Sequence, residues 1–98
     1  MYAQVVRAAV REDGWKRLTD LAAQWNNEQA EQVQGFKEMY VLREINTENR
    51  AVFIIIWHSH DAAISAGGRT ETDAYFKKLM ELIEEDPKIL GAETVDQF

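Results

Sequence analysis

The run Ala51-Val52-Phe53-Ile54-Ile55-Ile56-Trp57 is apolar without interruption, and His58-Ser59-His60-Asp61 closes it. Side chains alternate along a strand, so Phe53, Ile55 and Trp57 face one way while Val52, Ile54, Ile56 and His58 face the other. Both sets must leave water, which a sheet with one solvated face does not permit. In a chain of 98 residues the local cover is a pair of helices for one face, which leaves the second face for another subunit. Tyr40-Val41-Leu42 shows the same two-sided apolarity. A homodimer is therefore predicted from strand chemistry alone.

The length fits one domain, 1–98, with a core that is adequate rather than generous. There is no cysteine, so a disulfide framework, a thiolate nucleophile and cysteine-ligated zinc or iron–sulfur sites are excluded. Met1 to Arg7 has neither the basic segment nor the apolar core of a secretory signal, and no apolar run approaches the ~20 residues of a membrane span. A cytoplasmic protein without membrane association is expected. A net charge of −6 repels phosphate backbones, and the lysines and arginines form no basic stripe, which argues against a nucleic-acid partner.

Tyr2 to Val10 is dense in β formers, and Glu12-Asp13-Gly14 supplies turn chemistry with Asp13 as a candidate helix cap. Trp15, Leu18, Ala22 and Trp25 recur at helical spacing, supported by Leu21. The polar continuation, Asn26 to Gln32, is expected to fray before Gly35 stops it. Phe36 to Ile45 reads as a second strand, turned by Asn46-Thr47-Glu48-Asn49 into the third, so that the two form a hairpin. Asp61 to Ala66 predicts a short helix broken at Gly67-Gly68, with Ala66 to Thr70 as a mobile lid or an idle surface loop. Thr70 and Asp73 resemble a capping box for a last helix carrying Phe76, Leu79, Met80 and Ile83 and ending before Pro87. Ile89 to Phe98 is the fourth strand.

The order β-α-β-β-α-β predicts an α+β, ferredoxin-like domain: a four-stranded antiparallel sheet with both helices on one face. The other face stays bare, which again favours dimerisation through it. Gly14 before the first helix, Gly35-Phe36, the strand end Ile56-Trp57-His58-Ser59, Ala62 and Ala63, and Tyr75-Phe76 together resemble antibiotic biosynthesis monooxygenase-like (ABM) domains of the dimeric α/β-barrel superfamily. The most specific piece is Trp57-x-Ser59-x-Asp61-Ala62. The resemblance implies two ferredoxin-like subunits packed sheet to sheet, each with a pocket for an aromatic or polycyclic substrate. It also implies either oxidation without metal or flavin, or haem degradation. The haem-degrading branch carries an asparagine in the first strand and a histidine and tryptophan in the segment after the third. Here the first strand has no asparagine, nothing after His60 is histidine or tryptophan, and Ala66 stands where many members have histidine, so neither haem nor that histidine is carried over.

Under the resemblance, His58 is the candidate base or orienter, with Tyr40 and Tyr75 as hydrogen-bond partners. Trp25, Phe53 and Trp57 are candidate pocket walls, and Arg43 and Arg69 are candidate stabilisers of an enolate or carboxylate. Each also has a structural reading: Trp57 as core or interface, His58 as a strand-end histidine, the tyrosines as packed rings and the arginines as surface charges. His58, His60 and Asp61 have a loose metal-ligand spacing without a third spaced ligand, and no metal is expected. The leading function is a small cofactor-independent monooxygenase acting on an aromatic or polycyclic molecule. The alternative is a non-catalytic dimeric binding module on the same scaffold.

Overall fold

A computed structural model describes residues 1–98. The strands are β1 (Tyr2–Ala9), β2 (Phe36–Arg43), β3 (Arg50–Trp57) and β4 (Lys88–Glu93), and the helices are α1 (Trp15–Glu28), α2 (His60–Gly67) and α3 (Thr70–Met80). A 3₁₀ turn over Ala30–Gln32 follows α1. All strand pairs are antiparallel, in the order β2-β3-β1-β4, which is the ferredoxin-like arrangement expected, with α2 added before the second long helix.

The register assigns the faces. Val6 lies opposite Phe53 and Ala8 opposite Ala51, and Val41 also lies opposite Phe53, so these residues share the helix-covered face. The core is there: Val10, Leu18, Ala51, Phe53 and Leu82 form one buried cluster, and Val33, Trp57, Ala63 and Ala66 form a second. Val5 and Tyr40 lie opposite Ile54, and Leu90 lies opposite Val5, which puts them on the bare face. No helix covers that face, so Tyr40, Leu42 and Leu90 remain exposed. A bidentate pair spans it near one end, with Arg7 Nε and Nη2 donating to Glu44 at 2.9 and 3.0 Å.

Local chemistry explains the boundaries. Gly35 adopts φ +85°, the left-handed conformation that turns the chain into β2. Asn46 and Asn49 take the same region in the β2–β3 turn, which asparagine tolerates better than most residues. Ser59 caps α2 by accepting the Ala62 N–H at 3.2 Å.

The structure departs from sequence expectation in several places. Gly14, not Asp13, occupies the N-cap of α1. Arg69, not Thr70, occupies that of α3, and no side chain caps either helix. Helix α3 stops at Met80 because Leu82 and Ile83 turn inward instead of continuing its stripe. Ile83 makes a bridge with Val10, and Arg11 N–H donates to Leu82 O at 2.9 Å. Strand β4 ends at Glu93, where its pairing with Tyr2 ends. The expected lid shrinks to Gly68 and Arg69, since α2 runs through Gly67 and α3 begins at Thr70.

Candidate functional site

A cleft of about 450 Å³ lies between the helices and the helix-side face of the sheet, within the range of about 300–1,000 Å³ that small-molecule sites occupy. Fifteen of its nineteen lining residues are hydrophobic. The floor comes from β1 and β3, where Val6, Phe53, Ile55 and Trp57 project from paired positions. Helix α1 contributes Leu18, Leu21, Ala22 and Trp25 because its apolar stripe turns toward the sheet. Phe36 braces both indoles edge-on, at 4.9 Å from Trp25 and 5.6 Å from Trp57 between ring centroids. The mouth lies at α3 and β4, where the lining residues Gly67, Asp73, Phe76 and Ile89 are exposed.

Four side chains bring polarity to this apolar space: Gln4, Thr72, Asp73 and Tyr75. Trp57 Nε1–H donates to Gln4 Oε1 at 2.9 Å. An indole N–H only donates, so it fixes the orientation of the Gln4 amide and leaves the NH₂ group free to donate to a ligand. Thr72 Oγ1 is buried without a protein partner, which makes its hydroxyl a second candidate contact. Sequence reasoning missed both residues. The signal for Gln4 was a polar side chain on the alternation of Tyr2, Val6 and Ala8; Thr72 left none, since one threonine in a helix is unremarked.

Tyr75 reaches the cleft with its ring, while its hydroxyl donates to Glu28 Oε2 at 2.5 Å, joining α3 to the end of α1. Hydrogen bonding to that carboxylate is the main cause that raises the Tyr75 pKa above the ordinary phenol value, followed by desolvation and the carboxylate's charge. A raised folded pKa means that the contribution to stability is present below the unfolded value and is lost as pH rises through the folded one. Tyr75 phenolate formation, followed by ultraviolet absorbance, should therefore come at higher pH than in a model phenol, and Glu28→Gln should move it back toward the ordinary value. Identical titrations in the two proteins would refute the link.

Of the residues singled out from sequence, Trp25, Phe53, Trp57 and Tyr75 line the cleft. His58 does not: it is exposed, follows Ile56 in the alternation, and carries no side-chain hydrogen bond beyond the backbone link of its N–H to Gly35 O at 2.8 Å. Tyr40 lies opposite Ile54 on the bare face and donates to Glu38 at 2.8 Å. That bond is the main cause of its raised pKa. Arg43 stacks on Trp15, 4.4 Å from the ring. Arg69 donates to Gln32 O and Gln29 Oε1 at 3.4 Å each, so it ties the start of α3 to the end of α1. No group of three or more metal-ligating side chains is assembled, and no helix is long and apolar enough to cross a membrane.

These features define a ferredoxin-like α+β protein with an apolar cleft between sheet and helices. No family model matches the chain, and no curated protein matches its sequence. Among solved structures, many neighbours are named antibiotic biosynthesis monooxygenases. A variant of SnoaB, a cofactor-independent oxygenase from Streptomyces nogalater, superposes with a TM-score of 0.83 at 20% identity, covering 98% of this chain and 94% of its own. A candidate antibiotic biosynthesis monooxygenase from Bordetella bronchiseptica gives 0.84 at 15% identity, with 96% of each chain covered. Rv0793 from Mycobacterium tuberculosis gives 0.81 at 16% identity, covering 98% of this chain and 96% of its own. The chain thus shares the monooxygenase-like fold over nearly its whole length.

Proposed function

We propose that the chain acts, as one domain and as a homodimer, as a small cofactor-independent monooxygenase on a planar aromatic or polycyclic molecule. The observation that carries this reading is the apolar cleft walled by Trp25, Phe53 and Trp57, into which one oriented donor, the Gln4 amide, projects. The fold shared with SnoaB, named a cofactor-independent oxygenase, supports the reaction type.

In such a reaction an electron-rich substrate loses a proton, and its carbanion passes one electron to dioxygen. The radical pair recombines to a peroxide anion, which takes back the proton held by the base to give a hydroperoxide, and loss of water leaves a carbonyl. Two substrate hydrogens and one oxygen atom leave as water; the other oxygen atom stays on carbon. The protein's part is orientation, exclusion of water and stabilisation of charge. The indole walls hold the ring plane, and Gln4 NH₂ donates to the substrate oxygen on which negative charge collects. Asp73 is the carboxylate of the lining that can receive the proton, and the Tyr75 ring, held in place by the bond of its hydroxyl to Glu28, flanks the substrate. His58, outside the cleft, has no part in this scheme.

The position of His58 favours the second reading, a binding module, because the imidazole expected to act as base does not face the ligand. One experiment separates the two. Titration with a hydroxyanthrone should quench tryptophan fluorescence, and an oxygen electrode should record uptake at the same concentrations. Quenching without uptake selects the binding module, and no quenching removes both readings. Gln4→Glu retains an acceptor for the Trp57 indole but replaces the donor with a carboxylate, so loss of one hydrogen bond of about 1–1.5 kcal/mol, added to repulsion of the substrate oxygen, should weaken hydroxyanthrone binding by at least about tenfold. Undiminished affinity in that variant would remove Gln4 from the site.

A further inference from the structure

We infer that the cleft is selective for uncharged aromatic ligands and rejects their carboxylated counterparts, chiefly because no cation lines its apolar floor, with Asp73 adding a lesser repulsion at its mouth. The inference rests on the reading of the cleft as an aromatic site and adds the charge class of its ligand. None of the chain's eleven lysines and arginines lines the cleft, and neither does either histidine. The nearby cations are committed elsewhere. Arg43 lies over the Trp15 ring, and Arg69 is turned to Gln29 and Gln32. Lys78 lines a separate surface groove with Arg17 and Asp20 and lies 5.8 Å from the centroid of the Tyr75 ring, and Lys77 pairs with Asp73 at 3.2 Å.

A ligand carboxylate therefore meets an unfavourable environment at either end of the cleft. At the floor it would exchange water for Phe53, Ile55 and Trp57, with the neutral Gln4 amide as its only oriented donor there, and an ionised group buried without a cationic partner is strongly disfavoured. At the mouth it would lie beside the Asp73 carboxylate, the only formal charge in the lining. Asp73 is exposed and paired with Lys77, so its repulsion is screened, and desolvation at the floor is the larger effect. A neutral ring system bearing a carbonyl meets neither obstacle.

Anthraquinone-2-carboxamide and anthraquinone-2-carboxylate differ little in shape but by one charge. Their affinities should be measured by fluorescence quenching at pH 7 in the wild type and in Asp73→Asn and Asp73→Lys, with circular dichroism confirming the fold. The carboxamide should bind the wild type at least about tenfold more tightly, corresponding to about 1.4 kcal/mol. Asp73→Lys should narrow the gap by up to about fivefold, the size expected for exposed charges, with Asp73→Asn between. Equal wild-type affinities would overturn the selectivity while leaving the aromatic site standing. An unchanged gap in Asp73→Lys would overturn the role of Asp73. Failure of both compounds to bind would overturn the aromatic site itself and the inference with it.

Discussion

Ile54→Asp is expected to turn a dimer into monomers that keep their fold. In the isolated subunit Ile54 is only half-buried, between Val5 on β1 and Tyr40 on β2, and a carboxylate there remains partly hydrated. A partner laid across the bare face removes that water. A twofold interface places the same residue from each subunit in the seam, so each association event would desolvate two carboxylates. Each carries a penalty of about 3–5 kcal/mol when no cation meets it, enough to lower association by several orders of magnitude. Of the cations that the register puts on this face, Arg7 is already committed to Glu44, and Arg50 and Lys88 lie at the strand ends, opposite Ala9 and Arg7. Sedimentation velocity at micromolar concentration should show a dimer for the wild type and a monomer for the variant, with matching circular dichroism. A wild type that sediments only as a monomer would remove the dimer from the proposal.

Gly35→Ala should destabilise the fold by about 2–5 kcal/mol, whereas Gly91→Ala should have a much smaller effect. At Gly35 two costs combine. A left-handed conformation at φ +85° penalises any L side chain by about 1–2 kcal/mol, and the new methyl would overlap the Ala62 Cβ at the start of α2, an overpacking cost of about 1–3 kcal/mol. Neither neighbour can yield easily, because Ala62 is fixed by the Ser59 cap and Gly35 O accepts the His58 N–H. The new methyl at Gly91 would instead meet the hydroxyl end of Tyr2, and φ there is not positive. A rotation of one side chain relieves that contact. Urea unfolding of the two variants gives the comparison, and equal midpoints would show that the α1–β2 connection is not held as described.

The two-sided apolarity of β3 made the sheet, its helical cover and its bare face legible, because it follows from strand period alone. The end of α3 was not legible: Leu82 and Ile83 continue an apolar spacing that a helix and an inward-turning segment satisfy equally, and only the distant partner Val10 distinguishes them. The lining of the cleft was legible in part. Trp57 and His58 are adjacent, and adjacent strand residues face opposite ways, so one cleft could not use both. Tyr40 was harder to assign, since its neighbours Met39 and Val41 are apolar as well and nothing local separates the two faces. Gln4 carried the opposite signal, a polar group where packing would prefer an aliphatic one, and its meaning depended on an indole far away in sequence.

Strand β1 is hydrogen-bonded to β3 on one side and to β4 on the other, and this has a consequence for synthesis on the ribosome. The β2–β3 hairpin joins neighbouring segments and closes a short loop, and β1 can dock on β3 as soon as the hairpin has emerged. The β1–β4 ladder pairs the sheet's most distant segments, so it carries the largest loop-closure entropy and must wait until β4 has emerged. Until then the outer edge of β1 offers unpaired amides to any extended chain nearby, a period of exposure to mispairing. The floor of the cleft can exist during that interval, but Ile89 at its mouth arrives with β4. A nascent chain would thus complete the lining of the cleft only after the rest of the sheet.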